Sequence, residues 1–152
     1  MEKFLIILVS ILLLALIALF FLGYMSRSGE APGLTSGQLQ PCPNKPNCVN
    51  SEFPSDKEHF IEPLDYSNED VTAVMTQLKK NVEEMGGNIQ IQERDYLAAT
   101  FTSSIFRFID DFEIRIDTQK KQIHFRSASR VGHGDRGVNR KRVTQLKNAF
   151  QS

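Results

Sequence analysis

The fold of this chain is decided by Ile123–Val143, which reads IHFRSASRVGHGDRGVNRKRV. Its first nine residues alternate between an apolar face with Ile123 and Phe125 and a polar face with Arg126, which is the period-2 pattern of a strand. Three glycines then predict a loop, and the residues from Val138 onward have the spacing of a helix. A strand, a glycine loop and a helix start therefore bring several arginines together, an arrangement that favours an anionic ligand.

Two further patterns precede this stretch. Ser67 and Asp70 fit the ends of a capping box, and Gly86-Gly87 ends the helix that follows them. The apolar stripe of that helix is Val71, Val74, Met75, Leu78, Val82 and Met85. Three strands are then marked by Ile89 and Ile91, by Leu97, Ala99 and Phe101, and by Phe106, Phe108, Phe112, Ile114 and Ile116. The sequence predicts an α+β domain of two layers, with a helix, a four-stranded antiparallel sheet and a second helix, both helices on one face.

The last two strands are close enough in sequence to form a hairpin. We expect Asp117 to lie opposite Gln122 across its turn. The facing pairs are then Ile116 with Ile123, Ile114 with Phe125, Glu113 with Arg126, and Asp110 with Ser129. At the far end of one face, where the glycine loop emerges, this register collects the polar residues Asp110, Ser127 and Ser129. Apolar residues thus meet near the turn, and polar residues meet near the loop.

The N-terminal segment is apolar enough to cross a membrane. Phe4 to Leu22 is nineteen residues without a charge, which as a helix matches a hydrocarbon core of about 30 Å. We favour an uncleaved anchor over a cleaved signal, because signal h-regions usually run about 7 to 15 residues and no convincing cleavage site follows Leu22. We expect a transmembrane signal anchor over residues 1–24, a flexible linker over 25–40 and a single globular domain over 41–152, exported from the cytoplasm.

Cys42 and Cys48 are the only cysteines of the chain. In an exported domain they can form a disulfide that closes a small loop, worth about 2 kcal/mol by the loop-entropy model. Two unpaired buried thiols are the alternative. No metal site is expected, because two thiolates at this spacing lack a nearby pair of ligands to complete four.

The net charge is zero but unevenly distributed along the chain. Residues 30–119 hold seven Lys/Arg against sixteen Asp/Glu, whereas residues 120–152 hold nine Lys/Arg against Asp135 alone. Either the basic C-terminal third folds back on the acidic part and is neutralised there, or a basic patch survives and binds an anionic partner.

Three separated motifs carry a resemblance to a known family. They are Phe108-Ile109-Asp110-Asp111-Phe112, the run Arg126–Gly132 and the run Gly137–Val143, with Cys42–Ser51 similar to the opening segment of the family. Over about Pro41 to Phe150 the chain resembles the family catalogued as domain of unknown function 1499, whose members occur in bacterial envelopes and plastids. The resemblance implies one compact domain and no established activity. With the anchor, it leads us to expect a single-pass protein of the bacterial inner membrane whose domain is periplasmic.

Several ligand classes are disfavoured by the residues themselves. Gly132-x-Gly134-x-x-Gly137 formally fits a dinucleotide fingerprint, but the preceding strands look antiparallel and no later strand follows, so no cofactor is expected. Nucleic acid is not expected either, because Phe106 and Phe108 alternate as core residues do and the predicted compartment lacks it.

The predicted function is non-catalytic binding of an anionic envelope ligand, either a small molecule, a lipid head group or a protein partner. The arginines that would attract it are Arg126, Arg130, Arg136 and Arg140. The polar residues that would orient them are Asp110, Ser127, Ser129, Asp135 and Asn139. No catalytic residue is assigned. A hydrolase acting at Asp110, Ser129 and His133 is the first alternative, and a structural envelope assembly factor is the second.

A purely structural role is also open for the same residues. Asp110 and Asp111 are adjacent in a strand, so they point to opposite faces and cannot form a close acid/base pair. Asp110 could accept hydrogen bonds from Ser129 or Asn139, and Asp111 or Glu113 could pair with an arginine. Asn139 shares the inner stripe of the last helix, where its amide needs either a loop carbonyl or a ligand.

Overall fold

The computed structural model describes residues 1–68 and 70–152. It begins with a long apolar helix, α1 (Glu2–Met25), whose residues the rest of the chain leaves almost entirely exposed. The elements that follow are a 3-10 turn (Ser26–Ser28), β1 (Leu34–Thr35), β2 (Gln38–Leu39), β3 (Cys48–Asn50), β4 (Leu64–Asp65), α2 (Val71–Glu84), β5 (Asn88–Gln92), β6 (Tyr96–Thr102), β7 (Ile109–Asp117), β8 (Gln122–Ser129) and α3 (Val138–Gln151).

The chain has the predicted α+β architecture with an antiparallel sheet. The four predicted strands are β5 to β8, and they pair in the order β8, β7, β6, β5. Two short strands, β3 and β4, extend the sheet to six by pairing with the free edge of β8. Strands of two or three residues are too short to show an alternating pattern, so periodicity did not predict them.

The β7–β8 hairpin has the predicted register. Asp117 lies opposite Gln122, and Ile116, Ile114, Glu113 and Asp110 face Ile123, Phe125, Arg126 and Ser129 in that order. The pairing is fixed by the alternation of both strands, because a slip of one residue would turn every apolar side chain to the opposite face.

Both helices pack on one face of the sheet, which we call the helix face. Phe112 and Phe125 from the strands and Leu78 and Leu146 from the helices are fully buried in one core there. Each side chain of this size contributes about 1.5–3 kcal/mol when fully buried. The layer of α2 and α3 on the sheet is therefore the main hydrophobic core.

The N-terminus of α2 differs in detail from the predicted capping box. Asp70 is itself the N-cap, and its carboxylate accepts from the backbone N–H groups of Thr72 and Ala73. Asp70 therefore takes the role assigned to Ser67, because its side chain already satisfies two of the first free amides. The helix ends as predicted before Gly86, whose φ of +85° is a left-handed conformation that suits glycine.

The prediction that Phe106 and Phe108 belong to the third strand is wrong. Strand β7 begins at Ile109, and residues 103–108 form the loop between β6 and β7. The loop is closed by Ser103, which exchanges backbone and side-chain hydrogen bonds with Phe108. Arg107 has a φ of +61°, which interrupts the extended chain between the two phenylalanines although their period-2 spacing continues.

The stretch predicted to be a flexible linker contains regular elements. Residues 26–40, which we call the strap, include the 3-10 turn and the β1–β2 hairpin. Leu39 of the strap is buried with Tyr96 and Ala98 on the second face of the sheet. This second face, the strap face, carries Asp111 and Glu113 of β7 and Arg126 of β8.

Candidate functional site

The alternation of β8 divides the predicted site residues between the two faces of the sheet. Ser127 and Ser129 lie on the helix face, because Phe112 and Asp110 are their partners in the register. Arg126 lies on the strap face, where it contacts Glu113, and Arg130 follows it on that face. The structure therefore forms two polar clusters instead of the single predicted one.

Asn139 organises the cluster on the helix face. Its side-chain amide donates to the Asn47 carbonyl at 3.0 Å and to the Ser129 hydroxyl at 3.1 Å. Its side-chain oxygen accepts from the Ser127 hydroxyl at 2.5 Å and from Arg142 Nη1 at 2.6 Å. All four hydrogen-bonding positions of this fully buried side chain are used, which fits the structural role considered for it.

Arg142 is a central residue of this cluster that the sequence analysis did not select. Its Nη2 donates to the Asp110 carboxylate at 2.9 Å, and its guanidinium lies 4.4 Å from the Phe101 ring centre. Asp110 thus pairs with an arginine of α3, not with Ser129 or Asn139. Helical spacing was the available signal, since Arg142 lies three residues after the inward-facing Asn139.

The glycine loop supplies its own anion to α3. The Asp135 carboxylate accepts from the N–H groups of Gly137 at 2.9 Å and Asn139 at 2.7 Å, and its carbonyl accepts from Val138 at 3.2 Å. These are the amides that would have to hold a ligand at the start of the helix. The chain itself therefore fills the position at which the sequence favoured an anion.

The two remaining predicted arginines, Arg136 and Arg140, share no partner among the residues that the structure describes. Arg140 donates to the carbonyls of Phe60 and Glu58, which ties α3 to the segment before β4. Arg136 is exposed and makes no ion pair within residues 1–68 and 70–152. In the described part of the chain, Arg140 lines three surface depressions. One, of about 80 Å³, also has the carboxyl-bearing residues Glu58 and Asp135 in its lining. The other two, of about 460 and 480 Å³, lie along the outer side of α3.

Glu113 is the centre of the buried cluster on the strap face. Its carboxylate accepts from the Gly33 N–H at 3.0 Å, the Tyr96 hydroxyl at 2.9 Å and Arg126 Nη1 at 2.9 Å. Burial raises the pKa of Glu113, while the Arg126 charge acts in the opposite direction. Burial, together with the charge of Glu113, also raises the pKa of Tyr96. The tyrosine therefore keeps its proton and donates it in the hydrogen bond to Glu113.

Arg130 joins the sheet to the end of α1. Its Nε and Nη2 donate to the Asp111 carboxylate at 2.7 to 3.0 Å. Its Nη1 donates to the carbonyls of Ser26 at 3.2 Å and Arg27 at 3.4 Å. The pairings of Arg126, Arg130 and Arg142 show that the basic C-terminal third is partly neutralised by the acidic part of the chain.

A cleft of about 560 Å³ opens beside this arginine, and we call it the strap cleft. It lies between the strap and strands β5 and β6. Its charged lining residues are Arg27, Glu30 and Arg130. Its uncharged lining residues are Gly29, Ala31, Asn88, Gln90, Ile91, Ala98, Thr100, Thr102 and Ile109. Of the residues predicted to bind a ligand, Arg130 alone lines this cleft.

Among residues 1–68 and 70–152, those of the hydrolase alternative do not contact one another as an acid/base site would require, because the side chains of Asp110 and Ser129 are linked only through Arg142 and Asn139. Asp110 is bonded to Arg142 and Ser129 to Asn139, whereas His133 is exposed in the glycine loop. Within the described residues, His133 has no hydrogen bond to either of them. Another serine and histidine are in hydrogen-bonding contact, since the Ser51 hydroxyl lies 3.2 Å from His124 Nδ1. Both side chains are buried, so a substrate cannot reach them.

Cys42 and Cys48 form the disulfide expected of an exported domain. The helix α1 is long and apolar enough to cross a bilayer, and its composition suits either a membrane anchor or a signal peptide. The described residues contain no cluster of three or more His, Cys, Asp or Glu side chains that could hold a metal ion.

These features define a class of protein: a two-layer α+β domain with a disulfide and an N-terminal apolar helix. Residues 38–150 match the model of a family described as protein of unknown function, DUF1499. The chain belongs to this family, as its three motifs predicted. No curated protein matches the chain.

Proposed function

We propose that this protein is a membrane-anchored, non-catalytic recognition domain that binds an anionic head group in the strap cleft. The main support is the position of Arg27, which lines the cleft and follows the last residue of α1 by only two positions. An anchored α1 therefore holds the cleft within a few ångströms of the lipid surface, at about 1.5 Å of rise per residue.

The lining of the cleft suits a phosphate that also carries hydroxyl or amine groups. Arg27 offers guanidinium donors, and Asn88, Gln90 and Thr100 offer amide and hydroxyl groups. Glu30 in the same lining favours a ligand with its own hydrogen-bond donors over a bare anion. A phosphoglycerol head group meets both requirements.

The contacts of the strap favour a retained anchor over a cleaved signal. The Ile109 N–H donates to Ser26 Oγ, and Arg130 donates to the Ser26 carbonyl. The first turn after α1 is thus part of the domain, and removal of the helix near this turn would disturb it. Together with the disulfide, this supports a single-pass protein of the bacterial inner membrane with its domain on the periplasmic side.

A binding role is favoured over hydrolysis because the carboxylates of both clusters are already paired with arginines. Asp110, Asp111 and Glu113 each accept from one, and Asn139 uses all its hydrogen-bonding positions. Such paired carboxylates rigidify a fold, whereas a general base needs a free position for the proton that it accepts.

The test is calorimetric titration of the full-length chain in nanodiscs of phosphatidylcholine. The soluble probes are glycerophosphoglycerol, glycerophosphocholine and inorganic phosphate. We expect saturable binding of glycerophosphoglycerol, weakened about tenfold or more in Arg27→Gln, because a charged hydrogen bond is worth about 1.5–3 kcal/mol. Arg94→Gln, in the exposed turn between β5 and β6, is the matched control and keeps wild-type affinity.

Two further measurements distinguish a membrane lipid from a soluble anion as the natural ligand. Phosphatidylglycerol placed in the nanodisc should compete with the soluble probe if the natural ligand is a lipid, whereas preference for inorganic phosphate would indicate a soluble anion. Equal affinities of Arg27→Gln and Arg94→Gln, or no saturable heat with any probe, would refute binding in this cleft and favour a protein partner.

A further inference from the structure

The loop between β6 and β7 carries an exposed apolar surface. Residues 103–108 read Ser-Ser-Ile-Phe-Arg-Phe, and the Ile105 side chain is 68% exposed. The rings of Phe106 and Phe108 lie 6.1 Å apart, centre to centre, outside the hydrophobic core. A single exposed isoleucine is common on protein surfaces and needs no explanation. What contacts this loop must therefore be inferred from its surroundings.

The loop is docked on the last turns of α1. The Phe106 ring packs edge-on against Phe20 of the helix, with ring centres 5.3 Å apart. A side chain at Gly23 would collide with the backbone carbonyl oxygen of Phe106, so glycine is what allows the loop to approach the helix this closely. The Ile109 N–H bond to Ser26 Oγ fixes the end of the loop beside the same helix.

This contact sets the depth of the loop relative to a bilayer. The uncharged run of α1 ends at Leu22, so Phe20 lies about 3 Å inside it at 1.5 Å of rise per residue. The run is nineteen residues long, about the number required to span a hydrocarbon core of about 30 Å. Phe20 therefore cannot leave the bilayer without shortening the span, and Phe106, which touches it, lies at the same level.

We infer that the 103–108 loop inserts Ile105 and Phe106 into the outer interface of the bilayer that α1 crosses, as a second membrane contact of the domain. The occupant of this surface is lipid because the surface is continuous with the lipid-facing side of α1. Arg107 is exposed between the two phenylalanines, where its charge can meet lipid phosphates. Segments that lie in the membrane interface combine apolar side chains such as Phe with Lys or Arg that face the head groups.

The second contact would restrict the orientation of the domain relative to the membrane plane. An anchor of one helix leaves a domain free to rotate and tilt, whereas two contacts restrict its orientation. The inference goes beyond head-group binding and does not depend on it, but it rests on α1 remaining in the membrane.

The chain contains no tryptophan, so one introduced indole reports on one site. We would reconstitute full-length Ile105→Trp in phosphatidylcholine/phosphatidylglycerol vesicles and measure quenching by lipids brominated along the acyl chain and by aqueous iodide. Phe20→Trp marks the depth of α1, and Thr118→Trp, in the exposed β7–β8 turn, marks water. Each variant is first checked for a wild-type circular dichroism spectrum.

We expect Ile105→Trp to emit at shorter wavelength than Thr118→Trp, to be quenched by brominated lipid and to be protected from iodide. If Ile105→Trp behaves like Thr118→Trp while Phe20→Trp is quenched by brominated lipid, the second contact is refuted and the anchor stands. If Phe20→Trp also escapes brominated lipid, the anchor and the second contact are refuted together, a result separate from any loss of head-group binding.

Discussion

Arg130 makes a bidentate ion pair with Asp111, in which Nε and Nη2 both lie within 3.0 Å of the carboxylate. Its third nitrogen, Nη1, donates to the Ser26 carbonyl directly after α1. The two side chains are 11% and 6% exposed, so the pair is largely shielded from water. One guanidinium thereby links the sheet to the first turn of the strap, directly after α1.

Loss of Arg130 should destabilise the domain strongly. Arg130→Ala leaves the Asp111 charge buried without its partner, so we expect the free energy of unfolding to fall by about 3 kcal/mol. The measurement is denaturant unfolding of the full-length chain in dodecyl maltoside micelles. In the double variant with Asp111→Asn the costs should be less than additive, and strict additivity would show that the pair is not coupled.

The buried amide of Asn139 should matter far more than an exposed amide on the same helix. Asn139→Ala removes the partners of Ser127, Ser129 and Arg142, and we expect a loss of about 2–3 kcal/mol in unfolding free energy. Asn148→Ala, on the exposed side of α3, should change it by less than about 0.5 kcal/mol. Similar losses in both variants would contradict the structural role of the Asn139 network.

His124 should make stability depend on pH. Burial lowers the pKa of His124 below its ordinary value of 6.5, with the Arg115 charge acting in the same direction and the charges of Glu52 and Asp117 opposing it. The unfolded chain binds this proton near pH 6.5 and the folded chain only at lower pH. Stability is therefore full above about pH 6.5 and falls as the pH decreases toward the folded pKa.

The slope can reach about 1.4 kcal/mol per pH unit, since one proton is involved. Unfolding of the micelle-bound chain at pH 7.5, 6.5 and 5.5 measures it. His124→Gln should flatten this dependence, whereas His133→Gln in the exposed glycine loop should leave it unchanged. A wild-type slope in His124→Gln would show that another group is responsible.

The disulfide should be present in cells and should stabilise the fold. We expect Cys42 and Cys48 to resist maleimide alkylation in denatured, acid-quenched lysates until a reductant is added. The double change Cys42→Ser with Cys48→Ser should lower the unfolding free energy by about 2 kcal/mol through loss of the closed loop. Alkylation without reductant would argue against an exported domain.

The parts of the fold that follow from local periodicity were accessible from the sequence. The register that puts Asp110 opposite Ser129 follows from two alternating strands and a short turn. The inward position of Asn139 follows from helical spacing. The same rule failed at Phe106 and Phe108, because a period of 2 does not reveal the left-handed Arg107 between them.

The candidate site depends on contacts that no periodicity encodes. Arg130 and the Ser26 carbonyl are 104 residues apart in sequence, and Gly33 is 80 residues from Glu113. The sequence placed the strap in a linker because its elements are too short and irregular to show a pattern. The docking of the strap on the strap face of the sheet creates the strap cleft.

Neighbouring residues and short motifs were enough to predict the apolar helix, the four main strands, the hairpin register and the family. Which carboxylate each arginine meets depends on the tertiary fold. The physical reason is that a buried charge needs a partner at hydrogen-bonding distance, and long-range packing selects that partner. Arg142 therefore pairs with Asp110 on one face of the sheet and Arg130 with Asp111 on the other.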